Sequence, residues 1–366
     1  MESRSWADHF RIRTISGGND MDLWDQIINE EQPPVIIAEM SANHNQSLEV
    51  ALQLTREVAR TGATAIKLQT YRADTLTLDC DRPEFQITDG PWAGQSLYEL
   101  YRNAEMPWDW HEPIFEQARK LDLGYLSSPF DHSAVDLLEG HGVPMYKIAS
   151  PEIVDKSLIQ YVASKRKPII ISTGMASFAE IANAIDWAIQ AGSDRLVVLH
   201  CVSAYPTPTS AMNLKRITQL QESFPTIKIG LSDHSISPTA SIAATALGVR
   251  LIEKHVTLDR NLGGPDAEFS LEPNELHELV EYAQSAHEEV FGTGQHEKKI
   301  EEKFKIFRRS IYLVKDIRKG ETLTSDHIQS VRPSLGLAPK DLERVIGKNA
   351  KYDIPANTPL TLVDFL

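Results

Sequence analysis

Eight short apolar runs, each about one helix apart, end at residues able to do chemistry: Glu39, Lys67, Ser128, Lys147, Ser172, His200, His234 and His255. A carboxylate can position water or shuttle a proton. Lysines bind anions or form Schiff bases, and imidazoles ligate divalent ions. The even spacing implies a place for them. In an eight-stranded parallel barrel all strands point their carboxyl ends at one face, where the active site sits.

His234 closes the run Gly230-Leu231-Ser232-Asp233-His234, and His255 closes Glu253-Lys254-His255. On adjacent strands the two imidazoles would reach one divalent ion, with a carboxylate, substrate oxygens or water completing its shell. Two nitrogens without cysteine suit Mn²⁺ or a similar ion, with Mg²⁺ and Co²⁺ as alternatives, rather than a closed zinc site. Lys67 and Lys147 close buried apolar runs, where an ammonium is costly without a partner. They read as an anion clamp helped by Ser128, Ser150, Ser172 and Thr173. A salt bridge to a barrel carboxylate and a Schiff-base lysine are the competing readings. Glu39 ends the first run, where burial would raise its pKa into a useful range. Cys201 reads as a small buried residue, not a nucleophile.

The elements that must position these groups follow from the pattern. Strands are expected at Val35–Glu39, Ala65–Gln69, Gly124–Ser127, Met145–Ile148, Pro168–Ser172, Leu196–His200, Ile227–Leu231 and Arg250–Lys254. They are β-branched and apolar on both faces, as buried parallel strands are. Amphipathic stretches lie between them: Leu48–Arg60, Phe115–Leu121, Leu158–Lys165, Phe178–Ala191 and Ala240–Leu247. Eightfold strand–helix alternation favours a (β/α)8 TIM barrel over an open sheet. The division expected is an N-terminal extension (1–34), a catalytic barrel (35–288), a charged linker (289–306) and a small β-rich C-terminal domain (307–366). Asp79 to Trp110 does not fit the repeat and reads as a long insertion after the second strand. It lies on the functional face and is a candidate cover or sugar-contacting loop.

Composition narrows the function. The chain has 366 residues, too many for one typical domain, and two cysteines, which give no disulfide framework. Its first twenty residues carry no apolar signal region, and no run is long enough for a membrane span, so cytoplasm is expected. No Gly-rich dinucleotide fingerprint or Walker loop occurs. The net charge of −14 argues against nucleic acid. It does not exclude a small anion, because a lysine about 4 Å away gains roughly 4 kcal/mol at an effective dielectric near 20, whereas distant charges are screened. From Lys303 to Lys351 twelve Lys/Arg face five Asp/Glu, a basic shift marking a module boundary.

Several ordered blocks carry a resemblance: IIAEMSANHN, AIKLQTY, SSPFD, YKIAS, ISTGM, HCVSAYPTP, GLSDHS, IEKHVTL and GGPDAEFSLEP. From about Val35 to Leu366 the chain resembles the sialic acid synthase family. Its members join phosphoenolpyruvate to an amino-sugar aldehyde and make nine-carbon 2-keto acids. RRSIYLVKDIRKGE and VRPSLGL resemble the antifreeze-like (SAF) domain that ends these enzymes. The insertion GPWAGQSLYELY and the adjoining MPWDW are most similar to the branch that uses 2,4-diacetamido-2,4,6-trideoxy-L-altrose. The N-acetylneuraminate and legionaminate branches are the near alternatives. The resemblance implies that His234 and His255 bind the metal and that Glu39 is the catalytic carboxylate. It implies that Lys67, Lys147, Ser128, Ser150, Ser172 and Ser232 hold phosphoenolpyruvate, and that Gln69, Tyr205 and Asp266 face the sugar. Arg332 matches an arginine that reaches into a partner's barrel, which implies a domain-swapped homodimer. Ser203 stands where the family often has Asn, and this fits a different aldose.

Overall fold

The computed structural model describes residues 22–90, 92–292 and 295–365. They form two units, the first ending at Phe291 and the second beginning at Gly292. In the first unit eight strands run in chain order: β1 (Val35–Glu39), β2 (Ala65–Thr70), β3 (Gly124–Pro129), β4 (Tyr146–Ile148), β5 (Ile169–Ser172), β6 (Leu196–Cys201), β7 (Lys228–Asp233) and β8 (Leu251–His255). All pair in parallel and β8 closes on β1, so the sheet is a barrel.

A sheet closed and ringed by helices is buried on both faces, which is why its strands are apolar throughout. Val35, Ile37, Ala65, Leu126, Met145, Ile170, Val197, Leu199 and Leu251 fill the barrel's interior. The opposite faces, including Ile36, Ala38, Ile66, Leu68, Ile148 and Val198, pack against the helices. Gly230 holds the corresponding interior position on β7 without a side chain. A Cβ there would lie 2.5 Å from Leu199 Cδ2 and 2.5 Å from the Leu251 carbonyl oxygen.

The helices begin where the chain supplies caps. Ser47, Asp131, Asp155 and Ser177 accept the amides of Val50, Ala134, Leu158 and Glu180. The resulting helices span Leu48–Thr61, His132–Gly140, Lys156–Ser164 and Phe178–Gln190. The expected stretches near residues 115 and 240 appear as His111–Lys120 and Thr239–Ala246.

Three expectations need amendment. The residues before Val35 are not all an appendage. A short helix, Leu23–Ile28, buries Leu23 and Ile27 against the interior cluster at the amino ends of the strands. The Arg250 guanidinium ties this segment down through the carbonyls of Ile27, Gln32 and Asn29. Residues 1–21 lie outside the described residues. The insertion after β2 is also more ordered than a loop, because it contains the helix Leu97–Ala104. Ser96 and Glu99 start that helix with a reciprocal capping box, a signal present in the sequence. Finally, the segment expected as a linker is largely helical: Pro273–Phe291 runs into it and Gln295–Glu302 follows.

The second unit has its own core of Ile311, Leu313, Ile317, Leu323, Val345, Ala350, Ile354, Leu360 and Phe365. Its strands β9 (Ser310–Leu313) and β10 (Ile328–Val331) pair antiparallel.

Candidate active site

Side chains on a strand alternate, so the residue two beyond an interior one also points inward. Applied to the interior cluster, that step reaches Glu39, Lys67, Ser128, Lys147, Ser172, Cys201, Ser232 and Glu253, and one step further reaches Gln69, His234 and His255. All converge at the carboxyl ends of the strands. His200 does not join them. It falls between the interior residue Leu199 and Cys201, and its Nε2 meets the Met212 carbonyl at 2.7 Å on the helix side. The thiol of Cys201 takes the inward place instead.

Four charges form the floor of this cavity. Lys67 Nζ lies 2.6 Å from Glu39 Oε2 and 3.7 Å from Glu253 Oε2. Lys147 Nζ lies 3.2 Å from Glu253 Oε1. All four side chains are buried. The lysines therefore do meet barrel carboxylates, at the rim where a substrate would enter. Burial opposes the charge on Glu253, yet Lys147 and Lys67 hold its pKa far below the ordinary carboxylate range. Glu39 has one lysine and faces the charge of Glu253, so burial dominates and raises its pKa. Two carboxylates are thus pushed in opposite directions, a pattern that separates a fixed anion from a proton carrier. Burial lowers the pKa of Lys147. Lys67 also donates to Ser128 Oγ at 3.1 Å, and Ser232 Oγ donates to Glu253 at 3.2 Å.

Beside the charges stand the two imidazoles, with ring centroids 5.3 Å apart. His234 Nδ1 donates to the Val202 carbonyl at 3.1 Å, which leaves the lone pair on Nε2. His255 Nδ1 is buried without a partner. Burial, then His234 and the nearby ammonium groups, hold the His255 pKa well below its ordinary value, so the ring is neutral. Burial opposes charge on His234, yet the Cys201 thiol and the Val202 carbonyl raise its pKa, so a divalent ion held by the two rings would displace a proton from His234. Among the described residues no three His, Cys, Asp or Glu side chains gather as a ligand set. Substrate oxygens or water would have to complete the shell.

Hydroxyls and aromatic rings line the remainder. Ser150 Oγ accepts the Gly174 amide at 3.0 Å and donates to Cys201 Sγ at 3.4 Å, itself 3.8 Å from His234 Nδ1. Ser172 Oγ and Ser203 Oγ are buried without partners. Gln69 Nε2 donates to Glu39 at 2.9 Å and to Ser41 Oγ at 2.9 Å. Asp266 accepts the Ala42 amide at 3.4 Å, and burial raises its pKa despite Ser41. The Tyr205 ring lies 4.5 Å from His234 and 5.2 Å from Phe269. Arg332 belongs to the second unit, where it follows β10 and is exposed.

Glu253, the hub of the charge cluster, is absent from the residues expected in the site. Its signal was present, since it precedes His255 by two residues in one strand and must share that face. In the sequence Trp92 stands out only as part of the insertion. Its ring lies 5.7 Å from Tyr205.

Comparison with known proteins places the chain in a family. The NeuB family model matches residues 54–296 and the SAF domain model residues 308–366. The pseudaminic acid synthase of Helicobacter pylori is 43% identical over 91% of this chain and 98% of its own length. That of Campylobacter jejuni is 41% identical over 92% and 98%. The crystal structure of N-acetylneuraminic acid synthetase from Leptospira borgpetersenii superposes with a TM-score of 0.66 at 32% identity, covering 75% of this chain and 92% of that one. A (β/α)8 barrel with this rim, matched by the family model over most of its length and followed by a SAF domain, belongs to the NeuB family.

Proposed function

We propose that this chain is a pseudaminic acid synthase, condensing phosphoenolpyruvate with 2,4-diacetamido-2,4,6-trideoxy-L-altrose to give pseudaminic acid and phosphate. One observation carries the reading: two buried lysines and two buried carboxylates whose pKa values are pushed apart meet a pair of imidazoles at the strand ends. The identity to the two synthases above selects the branch. The runner-up substrates are those of the N-acetylneuraminate and legionaminate branches.

In this reading Lys67 and Lys147 hold the carboxylate and phosphate of phosphoenolpyruvate, helped by Ser128, Ser150, Ser172 and Ser232. Gln69, Ser203, Tyr205 and Asp266 orient the aldose. His234 and His255 would hold a divalent metal, with Mn²⁺ the expected ion, which supplies Lewis-acid polarisation of the aldehyde. C3 of phosphoenolpyruvate forms the new bond to the aldose C1 as the aldehyde π pair moves onto its oxygen, which takes a proton and becomes a hydroxyl, leaving C2 electron-poor. Water adds at C2 and gives its proton to Glu39. The C2–O bond then breaks, and phosphate leaves as the 2-keto group forms. Holding both substrates in register can remove roughly 7–11 kcal/mol of barrier. Arg332 would complete the sugar site of a neighbouring copy in a cytoplasmic homodimer. Full turnover by a proven monomer would end that part of the proposal.

The test is phosphate release from phosphoenolpyruvate by the full chain with the altrose derivative, before and after EDTA and after Mn²⁺ is restored. Release that stops with chelation and returns with metal supports the reading. The depressed pKa of Lys147 favours a second one, a Schiff-base aldolase. Borohydride trapping of pyruvate on Lys147, without phosphate release and indifferent to EDTA, would select it.

A further inference from the structure

We propose that Trp92 determines which aldose the barrel accepts, by offering an apolar face to the end of the sugar farthest from the aldehyde. The proposal rests on the condensation reading above. The rings follow one another from buried to half-buried: His255 and His234, then Tyr205 at 4.5 Å from His234, then Trp92 at 5.7 Å from Tyr205. An open-chain hexose with its aldehyde at the imidazoles runs outward past Tyr205, so its far carbons and their substituents reach Trp92.

The indole has a single hydrogen-bond donor, and here it is already spent. Trp92 Nε1 donates to the Pro265 carbonyl at 2.9 Å. That bond pins the tip of the insertion to the loop after β8, one residue before Asp266. With its N–H occupied, the ring has nothing to give a sugar hydroxyl. What it presents is a half-buried aromatic face, which rewards methyl groups. A 6-deoxy carbon and an acetamido methyl supply such groups, whereas a hydroxymethyl end does not. The backbone that carries the ring is tied on its own side as well. Ile87 and Gln95 pair through Ile87 N at 2.9 Å from the Gln95 carbonyl, and Gly94 N lies 2.9 Å from the Ile87 carbonyl. Gly94 turns the chain there at φ +91, a conformation other residues rarely adopt.

The test compares the full-length Mn²⁺-supplied protein with Trp92→Ala and Trp92→Phe. Phosphate release is measured with the diacetamido-trideoxy altrose and with N-acetylmannosamine. The alanine variant should lose about 10–100-fold in kcat/KM for the altrose derivative, chiefly through its KM. Its preference over N-acetylmannosamine should narrow at least tenfold, while the KM for phosphoenolpyruvate stays within twofold. Phenylalanine should keep part of the preference. A ratio within twofold of wild type in both variants, or a parallel rise in the phosphoenolpyruvate KM, would overturn the assignment. Near-UV circular dichroism checks folding, and if the alanine variant is unfolded the phenylalanine ratio decides. Wild type preferring N-acetylmannosamine removes the role of Trp92 and leaves the condensation standing. Wild type inactive with both aldoses sinks the condensation and this proposal with it.

Discussion

Strand β8 contributes to two buried ionic groups on opposite faces of the same sheet. Facing the helices, Lys254 Nζ meets Asp233 Oδ2 at 2.9 Å, both fully buried. Every oxygen of Asp233 is used, by Ser235 N at 2.8 Å, Ser235 Oγ at 2.7 Å and Ser241 Oγ at 2.7 Å, and Lys254 also donates to the Ser235 carbonyl. Facing the cavity, Glu253, Glu39, Lys67 and Lys147 share charge, but the polar groups around them are not saturated. Ser172 Oγ, Ser203 Oγ and His255 Nδ1 lack partners there. Buried polar groups without partners are costly, so a fold retains them where a ligand completes them. The outer pair holds the barrel together. The inner set leaves polar atoms open, as the proposed anion clamp requires.

Four measurements would break or sharpen this contrast. The largest effect is expected from Lys147→Met, which removes one of the two lysines of the proposed anion clamp while Glu253 keeps Lys67. Phosphate release should fall about 10⁴-fold in kcat/KM, roughly 5 kcal/mol, with little change in the urea midpoint. Asp233→Ala should do the reverse: it strands the Lys254 ammonium and costs about 3–5 kcal/mol in urea unfolding. An equally large stability loss in Lys147→Met would erase the distinction.

The third effect is pH-dependent and belongs to the outer face. His111 is buried behind β2 and β3, 2.8 Å from Thr70 Oγ1, which also meets Ser127 Oγ at 2.6 Å. Burial pushes its pKa down to about 4. The unfolded chain therefore takes up this proton first as pH falls. The stability is complete above about pH 6.5 and is lost progressively towards pH 4, by roughly 3 kcal/mol for this one ring. His111→Asn should show a correspondingly shallower fall in urea midpoint over that range, and an unchanged slope would refute the assignment. The smallest effect is Ser172→Ala. Removing an unpartnered hydroxyl should leave stability level or raise it by up to about 1 kcal/mol while weakening phosphoenolpyruvate binding. A destabilised Ser172→Ala would mean that its hydroxyl serves the fold.

Much of the barrel is readable before any coordinates. β1 runs from Val35 to Glu39, as its apolar pattern requires, and the other strands begin or end within two residues of their expected bounds. The residues terminating those runs mostly line the cavity because one strand end is much like the next. His200 is the instructive exception. The run Leu196–Cys201 is buried along its whole length, so no polar alternation marks which parity faces inward. Packing of Val197 and Leu199 inside the barrel settles it. Glu253 was obscured for a related reason: alternating Glu, Lys and His in β8 serve two different faces.

The chain's own pattern determined the eightfold alternation, the strand ends, the lysines and imidazoles placed there and the basic C-terminal module, because periodicity and turn chemistry are local. Tertiary structure alone decided which side of β6 looks inward, that Leu23 and Ile27 close the barrel's far end, that two carboxylates divide two lysines and that Trp92 comes to rest against Pro265. Each of those depends on closure of the sheet, which brings residues as far as 223 positions apart within bonding distance and sets their pKa values through shared burial.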